Sequence, residues 1–160
     1  MTVKLLKDYK HDEIPKNVRF MGLDIGTKTL GVAVSDSMQS IATPIMTIER
    51  VKFTRDILVL KKLIKEFEVE GFILGWPMNM DGSERQRCDM VRSFADEMKN
   101  YPDIFGEKPF VAFFDERLST STMDNFLDNT VEMRGKKKKK EIIDKLAAQF
   151  ILQGALDAMR

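Results

Sequence analysis

The chain has 160 residues, 26 basic and 25 acidic, with a formal net charge of +1, a length that suits one domain with a sizeable core and excludes a pair of domains closing on a nucleotide. The near-neutral balance announces no polyanion partner, so any such role must come from local clustering. One cysteine, Cys88, and one histidine, His11, exclude an internal disulfide and a Cys/His zinc site and leave oxygen ligands for any metal.

Residues 1–17 are mixed and polar, with Pro15 ahead of the first strong apolar run, and read as an N-terminal arm. Charges scattered through MTVKLLKDYKHDEIPK are unlike a signal peptide, and no apolar run approaches the roughly 20 residues that span a bilayer. A cytoplasmic protein without membrane contact is expected, with a single domain over 18–160.

Val18–Asp24 and Leu30–Asp36 are β-rich runs joined by a Gly26-containing turn, a hairpin signal. The third run, IATPIMTIER, holds Pro44 and suits an edge strand. From Thr54 the period changes to that of an amphipathic helix, with Ile57, Leu60, Ile64 and Phe67 on one face. GFILGWP then reads as a buried parallel strand. After the polar loop MNMDGS, Ser83 and Gln86 have capping-box spacing, and Cys88, Val91, Ala95 and Met98 give the following helix an inward face. PFVAFFDE is another buried strand. Helices are expected around 119–128 and 141–158, with the lysine run between them. A meander followed by alternating helices and strands describes a mixed α/β sheet with ligands at the carboxyl ends of its parallel strands.

Three acidic features fall where such a sheet would gather them. Asp24 closes the first strand, Asp115-Glu116 closes the last, and Asp144 lies one turn into the expected final helix, beside Ala147, Ala148 and Ile151. Each alone has an ordinary reading, as a turn residue, a surface ion pair and a helix-dipole carboxylate respectively. Alternation separates Asp115 from Glu116 only by sheet face. A carboxylate cluster without His or Cys selects hard cations such as Mg²⁺ or Mn²⁺. Two such ions about 4 Å apart can activate water and stabilise a leaving oxygen in phosphodiester cleavage.

GLDIGTKTLGVAVSD, GWPMNMDGSERQRC, FDERLSTSTM and the pairing of KKKKK with IIDKLAAQFILQ together resemble the YqgF family, described as Holliday junction resolvases and as nucleases of pre-16S ribosomal RNA processing. The resemblance spans residues 21–153 and implies an RNase H-like fold: a five-stranded mixed sheet with the second strand antiparallel and helices on both faces. It implies that Asp24, Glu116 and Asp144 hold two catalytic Mg²⁺ or Mn²⁺ ions, with Asp115 as second choice. Asn79, Asp81 and Ser83 match a loop that faces the site and positions substrate, and Lys28 and Arg117 would contact phosphate. Arg134 with Lys136, Lys137, Lys138, Lys139 and Lys140 puts six positive charges near Asp144, where they would add sequence-independent affinity for nucleic acid. The implied partner is a ribosomal RNA precursor, in a ribosomal particle or alone, or branched DNA; the chain would act as a monomer or homodimer. A DNA junction would demand a symmetric dimer with two sites. RNA processing is therefore the first expectation.

Two other classes compete. DIGTKTLGVA also resembles the phosphate loop of actin and sugar-kinase ATPases, but those close two domains around the nucleotide and give the lysine run no place. A nuclease fold without catalysis, serving as an RNA-binding module, would need no divalent ion.

Overall fold

The computed structural model describes residues 3–77, 82–115 and 136–160, and gives the backbone alone for 82–84 and 136–141. The strands are β1 (Lys4–Leu5), β2 (Arg19–Ile25), β3 (Thr29–Ser35), β4 (Ala42–Glu49), β5 (Val69–Trp76) and β6 (Phe110–Asp115); the helices are α1 (Phe53–Phe67), α2 (Gly82–Met98), α3 (Pro102–Phe105) and α4 (Lys136–Ala158). The strands form one sheet in the order β1-β6-β5-β2-β3-β4. β2 runs parallel to β5 and β5 to β6, while β3 is antiparallel to both β2 and β4. Pro44 sits in edge strand β4 opposite Ala33, where the ladder register shifts, so the missing N–H costs no regular bond.

The sheet has six strands where five were expected. The segment read as an arm supplies the sixth, because β1 pairs in parallel with β6 through Lys4 opposite Ala112 and Leu5 opposite Phe113. Buried Leu6 anchors it. The Tyr9 hydroxyl donates to the Val111 carbonyl at 2.7 Å and itself accepts the Lys4 N–H at 3.3 Å. Burial raises the Tyr9 pKa, which keeps the phenol protonated and able to donate.

Strand alternation sorts the core into two layers. Met21, Leu23, Val32, Phe72, Leu74 and Phe113 face α1, α2 and α3, which contribute Ile57, Leu60, Val91, Phe94, Met98 and Phe105. Phe20, Ala33, Ile73, Ala112 and Phe114 face α4 with its Ala148, Ile151, Leu152 and Ala155. The first layer is filled by long side chains, each contributing about 1.5–3 kcal/mol on full burial. The second is thin. A Cβ on Gly22 would lie 2.7 Å from the Leu152 Cβ, and one on Gly31 would run into the backbone carbonyl of Asp144, so both positions need glycine for α4 to lie this close. Gln149 and Gln153 fix its register: Gln149 Nε2 donates to the Ala42 carbonyl at 3.1 Å, and the Ala42 N–H donates to Gln153 Oε1 at 2.9 Å.

The last helix begins earlier than its apolar period suggests. Lys136–Lys140 form its opening turns instead of a loop, and Asp144 lies more than two turns inside it. The physical reason is tertiary: the alanine and glutamine contacts downstream hold the helix, and five lysines at a helix start, though they oppose the helix dipole, do not undo it. The other helix expected near 119–128 lies outside the described residues. Among the described residues, no helix is long and apolar enough to cross a membrane.

Candidate active site

Asp24 is the penultimate residue of β2, at the carboxyl end of a central strand. It shares a sheet face with Phe20 and Gly22, the face that α4 covers, and its cross-strand partner in β3 is Gly31. Gly31 is also where the α4 backbone touches down at Asp144. The glycine thus does two things: it stands beside Asp24, and its missing side chain admits Asp144 to the same patch of sheet. The Asp144 Oδ2 is buried without a hydrogen-bond partner. A buried carboxylate oxygen without a partner is costly unless a cation satisfies it.

A turn and a second helix frame Asp24. The Gly26 N–H donates to the Thr29 carbonyl at 2.9 Å, and exposed Lys28 stands at the tip of that turn. From α2, Arg87 Nη2 lies 3.9 Å from Asp24 Oδ1, with side-chain exposures of 34% and 18%. At that distance the pair is a loose electrostatic contact, neutralising part of the carboxylate charge without the close bidentate geometry that would lock it. The Cys88 thiol donates to the Pro77 carbonyl at 3.1 Å and ties this turn of α2 to the end of β5.

The structure sets the Asp144 backbone against Gly31, the cross-strand partner of Asp24, and places Lys28 in the turn that follows Asp24. Asp115 closes β6 opposite Trp76 and has the parity of Val111 and Phe113, the face away from α4. It lines instead a cavity of about 480 Å³ beside β1, with Leu6, Tyr9, Phe114 and Met159 among its walls. Glu116, Arg117, Asn79, Asp81 and Arg134 lie outside the described residues, as do the side chains of Ser83 and Lys136–Lys140. Among the described residues, no three His, Cys, Asp or Glu side chains gather as a metal site.

Sequence reading missed three charged residues here: Arg87, Arg50 and Asp56. A signal existed for two of them. Arg87 falls at helical spacing with Val91, Phe94 and Met98, and Asp56 with Leu60 and Leu63, so each puts a charge on an otherwise apolar stripe.

Residues 18–158 match the model of the RuvX family, described as a Holliday junction resolvase. A protein of Rhodospirillum centenum named "Putative pre-16S rRNA nuclease" is 44% identical over 160 residues, all of this chain and 84% of that protein. A Ruegeria relative of the same name is 45% identical over 147 residues, covering 92% of this chain and 89% of its own length. Among solved structures, Thermus thermophilus RuvC in complex with Holliday junction substrate superposes with a TM-score of 0.53 at 11% identity, over 88% of this chain and 94% of that one. The shared fold is RNase H-like, as the motifs implied.

Proposed function

The chain belongs to the RuvX family, and on that premise we propose that it is a divalent-metal-dependent nuclease acting in 5′-end maturation of pre-16S ribosomal RNA. Membership makes phosphodiester hydrolysis on nucleic acid the reaction class. The observation that carries the metal-dependent reading is the partnerless, buried Oδ2 of Asp144, whose backbone rests on Gly31, the cross-strand partner of Asp24. Hard carboxylate oxygens fit Mg²⁺ or Mn²⁺.

Asp24 and Asp144 would hold the ions together with Glu116. Asp115, its neighbour in sequence at the carboxyl end of β6, is the second choice for that third ligand. When bound, the ions supply an activated water and charge stabilisation at the departing oxygen. The chain's own residues do the rest. The Gly26 turn brings backbone close to a phosphate, Lys28 and Arg87 offer it positive charge, and Arg134 with Lys136–Lys140 hold the flanking strand electrostatically. Asn79, Asp81, Ser83 and Arg117 would position the substrate.

A second reading, cleavage of a four-way DNA junction, is favoured by the family's description and by the fold shared with RuvC. Labelled single-stranded precursor RNA and a four-way junction, each incubated with Mg²⁺, Mn²⁺ or chelator, separate the two. Metal-dependent cutting of RNA alone, lost in Asp24→Asn, is the expected result. Paired nicks in the junction would replace it with the resolvase reading, and binding without any cleavage would overturn both.

A further inference from the structure

A buried ion pair lies just behind the site. Asp56, in the first turn of α1, is 1% exposed; its Oδ1 accepts the Val51 N–H at 3.2 Å, and its Oδ2 has no hydrogen bond, only Arg50 Nε at 3.8 Å. Arg50 reaches in two further directions. Its Nη1 donates to the Gly26 carbonyl at 2.7 Å, while its backbone N–H donates to the Lys28 carbonyl at 2.8 Å, so one residue grips both arms of the turn that follows Asp24. The same guanidinium approaches the Met90 sulfur at 3.5 Å and stacks over the Phe94 ring at 5.8 Å.

Met90 and Phe94 stand three and seven residues after Arg87 and share its side of α2. Arg50 therefore spans the gap between the Asp24 turn and the helix face that presents Arg87. We propose that the Arg50–Asp56 pair is a positioning brace: it fixes the spacing between the Gly26–Lys28 turn and α2 and thereby holds Arg87 against Asp24. The inference rests on the reading of Asp24 as the centre of the active site. The placement is hard to explain by stability alone. A buried pair with an unsatisfied oxygen is often matched or bettered by apolar side chains of similar volume. Here the two charges tie α1 to the turn after Asp24 and to α2, the two elements that frame that carboxylate. Arg is the residue that can do this, since its planar fork donates in several directions while its face stacks on an aromatic ring.

The test uses the full-length chain with Mn²⁺ as probe. Removing Arg50 alone would strand the Asp56 charge and endanger folding, so Arg50→Met/Asp56→Asn removes both charges while keeping the Asp56 position as an acceptor for the Val51 N–H; circular dichroism checks the fold. Mn²⁺ affinity is measured for wild type, Arg87→Gln, the double variant and the triple variant, together with single-turnover cleavage. Arg87→Gln is expected to tighten Mn²⁺ binding at least about threefold by removing a neighbouring positive charge. The double variant should reproduce that shift and slow single-turnover cleavage at least about tenfold, and the triple variant should add nothing. Wild-type Mn²⁺ affinity in a folded double variant, or fully additive effects in the triple, would overturn the brace. A wild-type chain that binds Mn²⁺ but cuts no nucleic acid would overturn the nuclease reading while the Mn²⁺ comparison still decides the brace.

Discussion

The two faces of the sheet are built on opposite plans. One carries α1, α2 and α3 on a layer of Phe, Leu, Ile and Met side chains; on the other, Gly22 and Gly31 among Phe20, Ile73 and Phe114 let α4 come down until its backbone nearly meets the sheet. Thickness gives the first face tolerance, because long side chains can shift to absorb a change. Thinness gives the second precision, because Asp144 comes down beside Gly31, the partner of Asp24, only if nothing separates α4 from that glycine. Stability and site geometry are thus concentrated in different layers of one small domain.

Substitutions on each face can break that division. The largest stability loss is expected on the thick face. Phe72→Ala should cost about 3–5 kcal/mol, read by urea unfolding, while the folded fraction cleaves at the normal rate. Gly31→Ala should cost less, about 1–3 kcal/mol, yet abolish cleavage, because the new methyl must push the Asp144 backbone away. Equal damage to rate from both changes would erase the contrast.

Asp144→Asn sharpens it further. Neutralising a buried oxygen without a partner should leave stability unchanged or raise it by about 1 kcal/mol, while metal-dependent cleavage is lost. A marked fall in unfolding midpoint would mean that the carboxylate is structural. The smallest effect belongs to the far end of the hairpin. Asp36 Oδ1 accepts the Ile41 N–H at 3.0 Å and the Ser40 N–H at 2.8 Å. The Ile41 bond above all, followed by the Ser40 bond, pulls the Asp36 carboxyl below its ordinary 3.8, against a partial desolvation that acts the other way. A depressed folded value means that the stabilisation is present above the ordinary value and lost as pH falls through the folded one. Asp36→Ala should therefore cost about 1 kcal/mol at neutral pH, with the difference closing as pH falls through and below the ordinary carboxylate range.

Much of this architecture was legible because it repeats. The hairpin, the edge strand marked by Pro44, and the periods of α1 and α2 recur over enough residues to show a face. β1 did not, since two residues carry no period and their partner in β6 lies over a hundred positions away. The start of α4 was hidden by five lysines, which lack an apolar stripe and oppose the helix dipole. At the site, Asp24 and Asp144 stood out as acids at element ends and on an apolar face. Arg87 and Asp56 did not, although each interrupts an apolar stripe, because such an interruption gains meaning only when the opposing element is known. Arg50 gave no local sign: its role depends on a turn, a helix and a ring that are separated in sequence and meet only in the fold.

The measurement closest to the central claim is anomalous diffraction from crystals of this chain grown with Mn²⁺. A peak in contact with both the Asp24 and the Asp144 carboxylates, absent from Asp144→Asn crystals, is the result expected if the thin face exists to bring these acids together. Manganese bound elsewhere, or held by Asp24 with Asp144 untouched, would contradict it.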